Sequence, residues 1–520
     1  MTRRARLELG TAVSAALLLA LPFLGKALHV DEPFFLDRAA DLLAGVAWKP
    51  RAWAEYNNNP PMILWLLAGA LKLVGWREAA LRALLLPLDA AAAAFLYLLF
   101  ARFLERPLAW TLLVLLSPAY AINMGHMMAE KPALAFSAAA LYALVVGADE
   151  RRPRWLAASA LLLSLALLSK YAAVAALPAA AWYLHRRAAA PRAILAYLAA
   201  ACAAPAVFVV WNTATGGMVL HGVAATLSGA ATGAWSRWPH RTRSLLCFFG
   251  GLAVLPMGWP WARGWPRRWA LAAGAALLFL PVLDAASVRP LDRLFGAWLA
   301  AGAAGAFFAV FAARRARGRD LWLPWLLASA SVAAAYWSVM ARVVLFALPP
   351  FVLALGAAAQ EQGGRWSRLA PRAAAAAAAA LSLSLGWTDY RYAGAQRELA
   401  AELAAGPLAQ GRRVWCGAAL GLKHYATKAG ARLLDSARRW DEVRPGDIIV
   451  RARTTSNLPP PAHPFRANVT VRSVECAVPL RLLSGFGGEG GFYSNISGFL
   501  PFSLSKEPLE EFTIIEALPR

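Results

Sequence analysis

Two adjacent carboxylates, Asp31 and Glu32, stand in the stretch "HVDEPFFLD", directly after an apolar run that opens near Leu9. Acids are scarce in this chain, 29 Asp and Glu against 53 Lys and Arg, so a pair at a segment end raises a chemical question. Other charged residues hold similar positions: Glu130 and Lys131 in "NMGHMMAEKPALAF", Lys170 and Tyr171 in "LLSKYAAV", and Arg342 in "MARVVLFALPPF". A carboxylate there can take a proton from an incoming hydroxyl, and Lys or Arg side chains can hold a phosphate. Ionisable groups at bilayer depth cost about 2.5–3.5 kcal/mol each on insertion scales, so they need partners or a function. Each residue also has a plainer reading. Lys131, Lys170 and Arg342 could snorkel to head groups, and Glu130 could pair with Lys131 or cap the helix beginning at Pro132. Asp31 or Glu32 could cap a helix whose first turn holds Pro33. Asp37 and Asp41 read as polar-face residues of that helix, and His126 as a lining residue.

The elements that must position these groups are apolar helices. Hydrophobic residues make up 60% of the 520, and mean hydropathy is +0.49. Soluble domains hold roughly 45–50%, so the composition points to the bilayer. Fourteen apolar runs lie between residues 9 and 388, rich in Ala and Leu and without period-two alternation. That pattern predicts helices rather than a barrel. Arginine clusters separate the runs: Arg3-Arg4-Arg6, Arg102 with Arg106, Arg151-Arg152-Arg154, Arg186-Arg187-Arg192, Arg263-Arg267-Arg268, Arg314-Arg315-Arg317-Arg319 and Arg365-Arg368-Arg372. Each is expected on the cytoplasmic side.

Parity then removes one crossing. Arg6 and Arg102 share a side only if one of the three intervening runs does not cross. The run 61–75 is short, follows two prolines and carries Lys72, so it is expected to lie in the outer interface. About 13 transmembrane helices remain, with a cytoplasmic N-terminus and an external C-terminus. The expectation is an all-α polytopic membrane protein over 1–388. Its first external loop, 29–79, should carry amphipathic helices. The clusters account for the net charge of +24, and no basic stripe is interleaved with stacking aromatics, so no nucleic-acid partner is expected.

Residues 389–520 differ in texture. "RRVWCGA", "GDIIVRA" and "ANVTVRSVECAVPL" read as strands between Gly and Pro turns, predicting a small extracytoplasmic α/β or β domain. Cys416 and Cys476 in this region could pair in an oxidising space. No H-x-x-x-H, CxxC or P-loop pattern occurs, and no convincing GxGxxG fingerprint or GxSxG elbow. ATP-driven and nicotinamide chemistry are therefore not expected. No cofactor is assigned, and a divalent metal is neither indicated nor ruled out.

Five stretches together resemble the polyprenyl-phosphate-sugar glycosyltransferases of the GT-C fold, specifically glycosyltransferase family 39. That family contains the dolichyl-phosphate-mannose protein mannosyltransferases and the aminoarabinose transferases that modify lipid A. The stretches are "VDEPFFLDRAADLLAG", "NNNPPMILWLLAGALKLVGWREAALRALLLPLDAAAAAFLYLLFARFL", "INMGHMMAEKPALAFSAAALYAL", "LLSKYAAVAALPAAAWYL" and "ARVVLFALPPFVLAL". They cover most of the first 190 residues and one later helix border. The resemblance implies an inverting transferase of a bacterial inner or plasma membrane, metal-tolerant or metal-independent. It would take a polyprenyl-phosphate sugar as donor and a lipid, glycan or protein hydroxyl as acceptor. It puts the general base on Asp31, with Glu32 positioning acceptor or base. Donor phosphate would fall to Lys131, Lys170 and Arg342, and substrate positioning to Glu130, Asn59 and Tyr171. The chain departs from the family pattern where Asn59 stands for His, Glu130 for Asp and Val343 for Tyr.

Two other classes compete with this reading. A transporter or flippase of a lipid-linked anion would use the same charged cavity, but needs acids near the midplane and shows no inverted repeat here. A non-catalytic family member is the second. An enzyme requires Asp31 to open on a cavity shared with Lys170 and Arg342.

Overall fold

In a computed structural model, the described residues are 1–45, 60–215, 234–252, 288–336, 338–363, 366–434, 437–456, 466–484 and 488–519, with the isolated positions 220, 274 and 486. Ten helices fill the first part: α1 (Arg3–Ala20), α2 (Glu32–Leu43), α3 (Met62–Val74), α4 (Glu78–Ala101), α5 (Pro107–Leu115), α6 (Pro118–Met124), α7 (Glu130–Asp149), α8 (Pro153–Ser169), α9 (Ala176–Arg186) and α10 (Pro191–Ala214). Helices Ala234–Leu252, Pro290–Ala312, Arg319–Ala335, Ala341–Val344, Leu348–Gln362 and Trp366–Leu403 follow.

Six described helices are long and apolar enough to cross a membrane, or seven if the bent pair α5–α6 is one span. The bend of 57° falls at Leu116-Ser117-Pro118. Ser117 caps α6 by accepting the Tyr120 N–H (3.2 Å), and Pro118 suits its first turn. Thirteen separate long spans are not seen among the described residues. Several predicted crossings are short helices, such as the 17-residue α8 and the 15-residue Leu348–Gln362. The run predicted at 269–284 lies almost wholly outside the described residues. The 13-residue α3, about 20 Å long at 1.5 Å per residue, is too short to cross roughly 30 Å of hydrocarbon.

Helices α1, α4, α7, α8 and α10 pack in sequence across one apolar core. Alanine at many contact positions, including Ala92, Ala93, Ala138 and Ala140, permits close helix approach. At one end of this bundle Arg102 pairs with Asp149 and Glu150, while Arg187 pairs with Asp149 and Asp320. The starts of α2 and α7 and the end of α8 gather at the other end. Predicted cytoplasmic arginines and predicted external acids thus occupy opposite ends.

Helix Trp366–Leu403 has 38 residues, about 57 Å, and outreaches the hydrocarbon thickness. It runs unbroken through residue 389 and leads to strand β1 (Val414–Cys416). Strands β2 (Arg432–Leu433), β3 (Ile448–Ala452), β4 (Ala467–Val474), β5 (Leu480–Arg481), β6 (Ser503–Leu504) and β7 (Glu510–Ala517) follow. They form a five-stranded sheet in the order β2-β1-β3-β7-β4, parallel at β1 and antiparallel around β7, and a small β5-β6 ribbon. β1, β3 and β4 fall within the three stretches expected to be strands. All four cysteines are free thiols, so the pairing considered for Cys416 and Cys476 does not occur in this structure.

Candidate functional site

Asp31 lies between α1 and α2 and follows Val30, whose φ of 53° puts a β-branched residue in the left-handed region. That is a genuine backbone outlier for valine, of the sort that occurs where a site constrains the chain. The chain turns sharply there, and the two neighbouring carboxylates part. Asp31 caps nothing with its side chain; it accepts a hydrogen bond from Arg342, on the short helix Ala341–Val344. Glu32 turns inward and is fully buried, accepting from Arg82 (2.9 Å), the Met127 N–H (2.9 Å) and the His29 N–H (3.2 Å).

A second ion pair completes a foursome. Lys170 sits where α8 ends in an extended residue, and its ammonium bonds Glu130 at the start of α7. Arg342 lies within electrostatic reach of Glu130, and Lys170 within that of Asp31. Two acids and two bases from four separate elements therefore share one location. Asp31 is the most open, with 38% of its side chain exposed, against 15% for Arg342, 9% for Lys170 and 1% for Glu130. Burial works against the Asp31 charge, but the Arg342 guanidinium more than offsets it and holds the carboxyl below the usual range. The buried Oε2 of Glu130 has no hydrogen-bond partner among the described residues and could accept one from a bound hydroxyl.

The other expected site residues go elsewhere or lie outside the described structure. Lys131 points away from the foursome, into a buried pair with Asp89 of α4 at 2.6 Å. It ties α7 to α4 and does not join the foursome. Glu32 is likewise held by three donors and is not open to an acceptor. Tyr171 follows Lys170 and packs beside Met62, Leu168 and Phe208. Asn59 lies outside the described residues.

Sequence reading passed over a buried polar network behind Asp31. Lys26 donates to Asp389 (2.5 Å) and contacts His126 Nε2 (3.2 Å); His29 Nε2 lies 3.3 Å from Asp389, and Tyr493 donates to Asp389 (2.7 Å). Burial, then the Lys26 ammonium, lower the His126 imidazole to about 4, so it is neutral near pH 7. Ligand atoms of His29, His126 and Asp389 lie within 4.8 Å of one another, a donor set able to hold a divalent ion. Lys26 already supplies a cation to that cradle. The available signal was the presence of Arg82, which donates to the Lys26 carbonyl, inside an apolar run, and of Asp389 at the edge of another, since such residues are expensive there.

Comparison with known proteins agrees with the motif resemblance over part of the chain. Residues 58–212 match the sequence model of the dolichyl-phosphate-mannose-protein mannosyltransferase family. No curated protein matches the chain. Among solved structures, ArnT from Cupriavidus metallidurans is similar in two forms, bound to undecaprenyl phosphate and apo. Each shows 14% identity and a TM-score of 0.39, covering 86% of this chain and 92% of ArnT.

Proposed function

We propose that the protein is an inverting glycosyltransferase that moves a sugar from a polyprenyl-phosphate donor to an acceptor hydroxyl at the outer face of the membrane. The observation that carries this reading is the convergence of Asp31, Glu130, Lys170 and Arg342, with Asp31 the most exposed of the four. The family match over 58–212 supports it, since that segment contains Glu130 and Lys170.

Asp31 takes the acceptor proton as the hydroxyl oxygen bonds to the anomeric carbon. The anomeric carbon–oxygen bond to phosphate breaks on the opposite side, and the polyprenyl phosphate leaves with one more negative charge than it had in the donor. Arg342 and Lys170 stabilise that growing charge, the largest contribution expected from fixed cations. In the free protein both cations are neutralised by Asp31 and Glu130. Donor phosphate competes for Arg342, which loosens its hold on Asp31 and makes that carboxylate a better base once donor is bound. Lys131, assigned to its Asp89 pair, is left out of this scheme, and Glu32 serves the loop.

The test is transfer in membranes supplied with a polyprenyl-phosphate sugar. Asp31→Asn is expected to abolish transfer while keeping the fold and donor binding. Full transfer by that variant rules out the assigned base.

A further inference from the structure

The part of the chain that fixes Arg342 comes from more than 150 residues downstream. Between β5 and β6 the polypeptide forms a closed lobe held by Gly491 N–H to Leu500 O (2.8 Å) and Phe492 N–H to Leu482 O (3.0 Å). There is no room for a Cβ on Gly491 against the Gly498 carbonyl, so the turn closes only with glycine there. The lobe buries Phe492, Phe499, Leu500 and Phe502 among the membrane helices. Its tip, Phe492–Asn495, lies along the strand-like segment leading into Arg342.

That contact is made by main chain and side chains together. The Ala341 N–H donates to Phe492 O (3.0 Å), and the Asn495 N–H donates to Val339 O (2.9 Å). The Asn495 side-chain oxygen accepts from the Val339 N–H (3.0 Å) and the Ser338 hydroxyl (2.8 Å), while its amide reaches Ser244 (3.3 Å). Ser494 bonds Ser338 (2.8 Å). Tyr493 reaches in the other direction, to Asp389 and His126, behind the loop that carries Asp31. Four consecutive residues thus hold the segment before Arg342 and touch the support of Asp31.

We propose that Phe492–Asn495 is a positioning element for the anion-binding Arg342, with Asn495 its principal side chain. This rests on the reading of Arg342 as a ligand for donor phosphate. It gives the C-terminal region a role in the pocket itself: the region completes the geometry of the cation without contacting the sugar donor. Regular secondary structure does not supply these bonds, because Val339 precedes the four-residue helix and Ala341 is its first residue, so neither amide has an acceptor within the helix.

The full-length protein in detergent is compared in two ways, by hydrogen–deuterium exchange over residues 338–342 and by affinity for undecaprenyl phosphate. Asn495→Ala is expected to speed exchange at Val339 at least about tenfold, the factor for roughly 1.4 kcal/mol, and to weaken undecaprenyl phosphate binding severalfold. Asn495→Asp keeps an acceptor for Val339 and Ser338, so it should restore both. Ile496→Ala, at a residue 76% exposed in the same lobe, should change neither. Should Asn495→Ala prove too unstable to purify, Ser494→Ala removes one clamp bond more gently and should shift both readouts in the same direction. Unchanged exchange at Val339 in Asn495→Ala overturns the clamp; faster exchange with unaltered affinity overturns its role in positioning Arg342. If the unmodified protein does not bind undecaprenyl phosphate, the donor reading fails, and with it the positioning role, while the exchange result still decides whether the clamp exists.

Discussion

Asp31 and Glu32 are neighbours of the same chemical class, yet their surroundings assign them opposite tasks, and amide substitution should separate the two. Glu32 is inaccessible to solvent and its pair with Arg82, at 2.9 Å, is 0% and 2% exposed. Glu32→Gln leaves a buried guanidinium without its countercharge and turns an amide NH2 either towards Arg82 and the Met127 N–H or towards the His29 N–H. Removing one partner from such a pair costs about 3–5 kcal/mol. Asp31, with 38% of its side chain exposed and Arg342 as its one ion-pair partner among the described residues, is expected to cost no more than about 1 kcal/mol when made Asn. The difference, at least about 2 kcal/mol, is roughly thirtyfold in the unfolded fraction. Thermal unfolding of both purified variants in the same detergent should therefore put Glu32→Gln clearly below Asp31→Asn, with Asp31→Asn close to the unmodified protein. Transfer should show another pattern: none for Asp31→Asn, and residual transfer for whatever Glu32→Gln protein remains folded. Equal midpoints for the two variants, or a stable Glu32→Gln protein devoid of transfer, would refute the division of labour.

Further outcomes follow from the same geometry. Lys170→Gln removes a charged donor to phosphate and should weaken undecaprenyl phosphate binding by about 10- to 100-fold, from the roughly 1.5–3 kcal/mol of a charge-assisted hydrogen bond; equilibrium binding in detergent measures it. Lys131→Met alone should destabilise the protein by leaving Asp89 buried and unpaired. Adding Asp89→Asn should recover most of that loss with transfer retained, as a thermal double-mutant cycle would show. Because Arg342 depresses the Asp31 carboxyl in the free protein, that group's stabilising effect is complete above its unfolded value near 3.9 and is lost as pH falls through the lower folded value. Donor binding draws Arg342 away, so the acid limb of kcat should lie at higher pH than that of kcat/KM, which pH–rate profiles would reveal.

Much of this arrangement is legible in one dimension because membranes impose few choices. Apolar runs, arginine clusters and the lone acids at run borders were enough to put Asp31, Glu130, Lys170 and Arg342 at one end of the bundle. The strand-like stretch "GDIIVRA" likewise announced β3. The failures are of a different kind. Nothing in "EKPAL" says that Lys131 points towards Asp89 instead of the pocket, because that depends on the azimuth of α7 against α4. Nothing in "DEPFF" says that Val30 takes a left-handed turn and sends the two carboxylates apart. His29, His126, Asp389 and Tyr493 meet across hundreds of residues, and single-residue signals carry no record of such a meeting. Hydropathy also cannot distinguish a long span from a short or bent helix held by its neighbours.

Helix Trp366–Leu403 has one more consequence. It carries Asp389 partway along its length and continues through a π-helical turn, Ala404–Leu408, and a short loop into the β-sheet. A shaft of this sort transmits tilt instead of absorbing it. Any load on the sheet, from an envelope polymer or a bulky acceptor, would therefore act as a lever on the Lys26–Asp389–Tyr493 knot, and through it on the loop that aims Asp31.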